Sequence, residues 1–179
     1  YDNYVKQTYR NRCVIAAANG PQALTVPIVK PDTLKCLTKD IRISDHGNWR
    51  HLHWNALVSA YRMSPFFEYY EEDFAPFYEK KYEFLLDFNE ALREVVCQLI
   101  DIQPQIRYTT DYQADVTADF REIIRPKHEG NDPSFQPVPY YQVFQEKQGF
   151  LPNLSIVDLL FNMGPESLLV LQKSIQKDI

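Results

Sequence analysis

Glycine is scarce. The chain has 179 residues and five glycines, about 3% against roughly 7% in an average domain. They are Gly20, Gly47, Gly130, Gly149 and Gly164, and no two lie closer than 15 residues. A backbone cradle for phosphate needs clustered glycines. Neither G-x-G-x-x-G nor G-x-x-x-x-G-K-[ST] occurs, which excludes a Rossmann dinucleotide site and a P-loop. Any nucleotide bound here must be held by side chains. Cysteine is scarce too: Cys13, Cys36 and Cys97 are odd in number and far apart. There is no C-x-x-C and no His at zinc-ligand spacing from a Cys, so no metal site is expected. Three inert thiols fit a reducing compartment. No run of 18 apolar residues is present, so no membrane span is expected. No motif names a cofactor, which stays unknown at this stage.

What is present describes one domain. The composition is 45% apolar and 24% charged, which is ordinary for a globular chain. Twelve Tyr, eleven Phe and two Trp supply ample area for a core, since each buries about 150–250 Å². The net charge of −5 hides an asymmetry. Residues 1–62 carry a net +5, residues 63–120 a net −9 and residues 121–179 a net −1. The basic first third points to a small anionic ligand. The acidic whole argues against nucleic acid.

The first third reads as strands. Residues 4–18 have no breaker, Asn19-Gly20-Pro21 is a turn signal, and residues 23–29 follow as a second strand with Pro27 at an edge or bulge. Residues 41–43 make a short third strand. Helices take over after Asn48, a plausible N-cap for residues 49–63. Ser64-Pro65 restarts a helix that Pro76 interrupts. Leu85, Phe88, Leu92, Val95, Val96 and Leu99 recur at helical spacing over residues 82–100. Residues 106–109 and 140–144 suit further strands, residues 117–124 a short helix, and residues 125–139 a loop. Two helices, about 155–163 and 165–174, close the chain. The predicted class is α+β: a single domain with a small, mostly antiparallel sheet from the N-terminal third, packed by several helices.

Three constellations carry possible chemistry. On an opening strand, alternation places Tyr4, Lys6, Thr8, Arg10 and Arg12 on one face. Three cations beside a Tyr and a Thr match a wall for a diphosphate or carboxylate, which Arg binds bidentately. A solvated face whose cations discourage edge pairing has the same pattern. On the helix after Asn48, His53 falls at the edge of the apolar stripe with Trp49. It suits a general base near neutrality, or a core histidine bonded to a carbonyl. Ser155 and Asp158 have S-x-x-D spacing before an apolar run, as in a capping box. Asp158 could instead orient His53.

These segments resemble the WbqC-like family. The resemblance rests on Lys6-Gln7-Thr8-Tyr9-Arg10-Asn11-Arg12, Leu24-Thr25-Val26-Pro27, Ile41-Arg42-Ile43, Trp49 with His53, Tyr61 with Pro65-Phe66, and Phe150 through Gly164. It covers nearly the whole chain as one domain, residues 1–179. It implies a cytoplasmic bacterial protein of surface-polysaccharide (O-antigen) biosynthesis. The implied reaction is transfer of a small acyl or aminoacyl group, such as glycyl, to a sugar; the alternative is a non-catalytic binding or scaffold protein of that pathway. It marks His53 as catalytic and Lys6, Arg10, Asn11, Arg12, Trp49 and Asp158 as binding an anionic or nucleotide-sugar substrate. Two departures stand out. Family members usually begin with an additional segment, so a short native N-terminal stretch is expected before Tyr1. Residues 121–139 are shorter and richer in Pro than the family's middle region.

Overall fold

A hairpin starts the fold. In the computed structural model, which describes residues 2–31, 33, 35–126 and 134–176, β1 (Arg12–Ala17) and β2 (Gly20–Thr25) pair antiparallel. Arg12 lies opposite Thr25, Cys13 opposite Leu24 and Ile15 opposite Gln22. The connection is Ala18-Asn19, and Gly20 follows at φ +118°, a value that favours glycine. Alternation sends Cys13, Ile15 and Leu24 to one face. There Ile15 and Leu24 are buried against Leu57, Ala60 and Tyr61 of α1 (Trp49–Tyr61).

The remaining elements close around this unit. They are α2 (Phe67–Phe74), α3 (Pro76–Glu79), α4 (Leu85–Leu99), α5 (Gln145–Gln148), α6 (Ile156–Met163) and α7 (Ser167–Ser174). One apolar cluster joins the hairpin, α1, α2 and α6, with Phe67, Phe74, Leu160 and Phe161 at its centre. A second joins Val26, Ile41, Trp49, Phe77, Leu85 and Phe88 at the start of α1 and α4. Tyr78, Leu92 and Val95 pack against both clusters, so the core is continuous. Among the described residues, no helix is long and apolar enough to cross a membrane.

The architecture is α+β with a two-stranded antiparallel sheet and several helices. Several predicted boundaries need correction. Residues 4–11 are not strand: Gln7 has φ +60° and Asn11 N–H donates to the Thr8 carbonyl, so the chain turns before β1 begins. The third strand is reduced to bridges, Ile28 to Ile43 and Arg42 to Phe84, because Pro27 has no N–H to give a ladder. Residues 106–109 and 140–144 form no ladder, residues 117–124 make only turns, and α5 was not foreseen. A run of β-formers becomes a strand only beside an open edge, and the Val14 carbonyl of β1 is already taken by Ser155 N–H.

The caps also differ. Asn48 sits in the left-handed region and makes no side-chain cap. Ser64 does not start α2; its hydroxyl donates to the Tyr61 carbonyl and closes α1. Ser155 stands at the N-cap of α6 without a side-chain cap bond, and Asp158 turns inward rather than back to it. Gly130 and part of the predicted 125–139 loop lie outside the described residues.

Gly164 joins α6 to the final turn at φ +54°, and a Cβ there would lie 2.5 Å from the Phe66 ring. Gly164→Ala is therefore expected to destabilise the protein by about 1–3 kcal/mol, read as a lower urea midpoint. An unchanged midpoint would show that the ring and backbone yield without cost.

Candidate functional site

The first turns of α1 bring His53 to the end of the hairpin. Its ring is buried at 9% exposure. It meets the Trp49 ring at 5.1 Å and the Tyr78 ring at 6.4 Å between centroids. Burial pulls its pKa down to about 4, and a hydrogen bond to the Thr25 backbone opposes that shift in part. Favouring the charged form marks the Thr25 partner as an acceptor, its carbonyl. His53 is therefore neutral at pH 7, with one ring nitrogen engaged. Trp49, also predicted as a site residue, is buried; its indole N–H donates to the Ser44 carbonyl at 3.0 Å and its ring meets Phe88 edge-on.

The cations do not form one wall. Lys6 is exposed on the turn before β1. Arg12 donates from Nε to Thr25 Oγ1 at 3.0 Å. That pair leaves the hairpin on the face opposite Cys13 and Leu24, and His53 bonds the backbone of Thr25 rather than its side chain. Asn11 is buried and clamps the start of β1: its Nδ2 donates to the Val26 carbonyl at 2.9 Å, and its own carbonyl accepts Val26 N–H. Arg10 is the most constrained. Nε and Nη2 both donate to Asp2 Oδ2, Nη1 donates to Thr8 Oγ1 at 3.3 Å, and Asn89 Nδ2 holds the Arg10 carbonyl at 2.7 Å. The charges of Arg10 and Arg12 lower the Tyr4 pKa against the larger upward effect of burial.

Asp158 is placed elsewhere. It has no exposure. Its Oδ1 accepts the Tyr61 hydroxyl at 2.7 Å, and its Oδ2 accepts the Tyr140 hydroxyl at 2.7 Å and Gln142 Nε2 at 3.1 Å. Burial pushes the carboxyl pKa up, and these three donors pull it back down. Its oxygens are bonded to these groups, and none of the bonds goes to His53.

An open cleft of about 550 Å³ lies beside the N-terminal segment. Asp2, Tyr9 and Arg10 of that segment line it. Val116, Phe120, Arg121 and Ile124 line it as well. Of the seven residues predicted from sequence, Arg10 alone lines it. Arg121 pins its own segment: Nε donates to both Asp119 oxygens at 2.8 and 2.9 Å, Nη1 to the Gln113 carbonyl and Nη2 to the Ala114 carbonyl, with the Tyr112 ring at 5.1 Å. The guanidinium holds the Asp119 carboxyl down at about 2. Sequence reasoning missed Asp2, Tyr9, Phe120 and Arg121. No spacing signal links residues this far apart in the chain. Among the described residues, no cluster of three His, Cys, Asp or Glu could hold a metal ion.

The family model for the WbqC-like protein family matches residues 1–127 and 121–170. The chain belongs to the WbqC-like family. A WbqC-like chain thus carries the basic N-terminal segment, the α1 histidine and the buried Asp158 within the matched span. The protein is 27% identical over 194 aligned positions to uncharacterized protein Rv1507c of Mycobacterium tuberculosis, covering 93% of this chain and 84% of that one. No solved structure matches it.

The lowered pKa of His53 fixes a sign. The unfolded chain takes up this proton near pH 6.5, whereas the folded chain refuses it until about pH 4. The stability contribution is present above pH 6.5 and is lost as the pH falls towards 4. Denaturation midpoints of wild type and His53→Gln, measured across that window, should show a shallower fall in the variant. Parallel curves would mean that His53 titrates alike in both states.

Proposed function

We propose that the protein binds an anionic, sugar-linked small molecule in the cleft beside Arg10 and serves bacterial surface-polysaccharide biosynthesis. The observation that carries this reading is the placement of Arg10. Its side chain is 17% exposed, its backbone is fixed by Asn89, and it lines a cleft large enough for a substrate-sized ligand. Arg pairs with carboxylate or phosphate through two parallel N–H groups. With no glycine-rich loop in the chain, a side chain must supply that contact.

A second reading adds chemistry: transfer of a small acyl or aminoacyl group, such as glycyl, to a sugar. One observation favours it. His53 is unprotonated at neutral pH and has a ring nitrogen beyond the one bonded to Thr25. In this reading the acceptor amine or hydroxyl attacks the acyl carbon of an activated donor, His53 takes its proton, and that proton passes to the donor's leaving group as the acyl–donor bond breaks. Arg10 holds the anionic end, while Lys6, Asn11 and Arg12 support the segment that carries it. Trp49 packs the base in place. Asp158 contributes through the core that carries α1.

A thermal-shift panel of nucleotide sugars, sugar phosphates, sugar acids and amino acids tests the first reading. At least one anion should raise the melting temperature of wild type and lose that effect in Arg10→Ala. No shift from any anion would refute it. Product formation tests the second. His53→Ala should keep the binding shift and lose roughly 10²–10⁴-fold in rate. An undiminished rate would remove His53 from the chemistry.

A further inference from the structure

The cleft already contains an anion, and it belongs to the chain. Asp2 Oδ2 accepts both Nε and Nη2 of Arg10. The same carboxylate acts weakly on the charge of Arg121, which lines the same cleft. Asp2 thus pairs directly with one of the two guanidiniums that line the space and is felt by the other. We propose that Asp2 is a built-in occupant of a carboxylate subsite, and that the natural ligand is a monoanionic carboxylate that exchanges with it and lays an apolar face on the rest of the cleft. This rests on the reading that an anion binds beside Arg10 and names the class of that anion.

Charge arithmetic points to a single negative charge. Arg10 and Arg121 are balanced by Asp2 and Asp119 in the lining. Asp119 is bound to Arg121 through both oxygens, and that guanidinium also holds two backbone carbonyls. Asp119 is therefore part of the wall. Asp2 is the exchangeable member. When its side chain leaves, the cleft carries one uncompensated positive charge, which one carboxylate restores to zero. A diphosphate would bring more negative charge than the cleft can match, with no backbone cradle for the rest.

The movement required is small. The backbone around Asp2 is tied down, because its carbonyl accepts Thr38 N–H at 2.8 Å and Asn3 bridges to Leu37. Only the side chain must rotate, and it is 30% exposed. The apolar lining supplies the second half of the specificity. Val116, Phe120 and Ile124 line the cleft and remain 41%, 49% and 57% exposed. A ligand body laid against them removes apolar surface from water, which favours binding in proportion to the area covered.

Competition with Asp2 lowers the apparent affinity by the fraction of time the Arg10–Asp2 pair is open. Calorimetric titration with benzoate, acetate and pyrophosphate tests this on wild type, Asp2→Asn, Asp2→Ser and Arg10→Ala. Both Asp2 variants should bind benzoate roughly fivefold or more tightly than wild type does, the gain expected from removing a partly exposed ion pair. Benzoate should bind more tightly than acetate, and Arg10→Ala should abolish binding. If wild type binds benzoate through Arg10 but neither Asp2 variant gains, the stand-in role is wrong while the anion-binding reading survives. If pyrophosphate outcompetes benzoate in the Asp2 variants, the carboxylate class is wrong. If none of the three anions binds any form, both readings fall.

Discussion

Asp158 holds a carboxylate wholly out of water, and four parts of the chain depend on it. Leaving such a group without partners in the interior costs several kcal/mol. Here the Tyr61 hydroxyl, the Tyr140 hydroxyl and the Gln142 amide all donate to it. The Tyr61 oxygen also accepts Ala16 N–H of β1 at 3.1 Å. One carboxylate therefore links α6, the end of α1, the first strand and the segment before α5. Gln142 extends the link, since its side chain bonds both the N–H and the carbonyl of Leu151. The knot matters for the candidate site through α1. Tyr61 and His53 lie two turns apart on that helix. Fixing Tyr61 against β1 also fixes where His53 meets Thr25.

The other governing constraint is the lack of glycine. With no loop of backbone N–H groups to wrap an anion, the chain relies on arginine side chains, and each needs its own support. Arg10 has Asp2, Thr8 and Asn89 around it. Arg121 has Asp119 and two carbonyls. Arg12 has Thr25. This gives each arginine its own directional contacts in place of a shared cationic wall. The only strongly exposed cation of the opening motif is Lys6.

The helices were legible because burial imposes the 3.6-residue period on apolar side chains. Leu85, Phe88, Leu92, Val95 and Leu99 show it plainly, and α4 follows. The hairpin turn was legible from Asn19-Gly20-Pro21. The strands were less so, because a β-former run needs a neighbour and sequence does not show where edges lie. Residues 4–11 have strand composition, but the chain turns at Gln7. Asp158 was misleading for a related reason. Its spacing from Ser155 matches a local cap, yet its partners Tyr61 and Tyr140 lie 97 and 18 residues away. The resemblance to a family drew attention to Arg10, His53 and Asp158. Only the fold could show that they stand at a cleft wall, beside a strand end and inside a core. Asp2 and Arg121 carried no signal at all, since nothing local relates them.

The most direct test of this account is a double-mutant cycle between Asp158→Asn and Tyr61→Phe, with unfolding free energies from urea denaturation. If the buried carboxylate is what holds α1 to the rest of the core, the two substitutions should be coupled by about 1–3 kcal/mol. Additivity within about 0.5 kcal/mol would mean that Tyr61 and Asp158 contribute independently, and the central role assigned to this knot would be wrong.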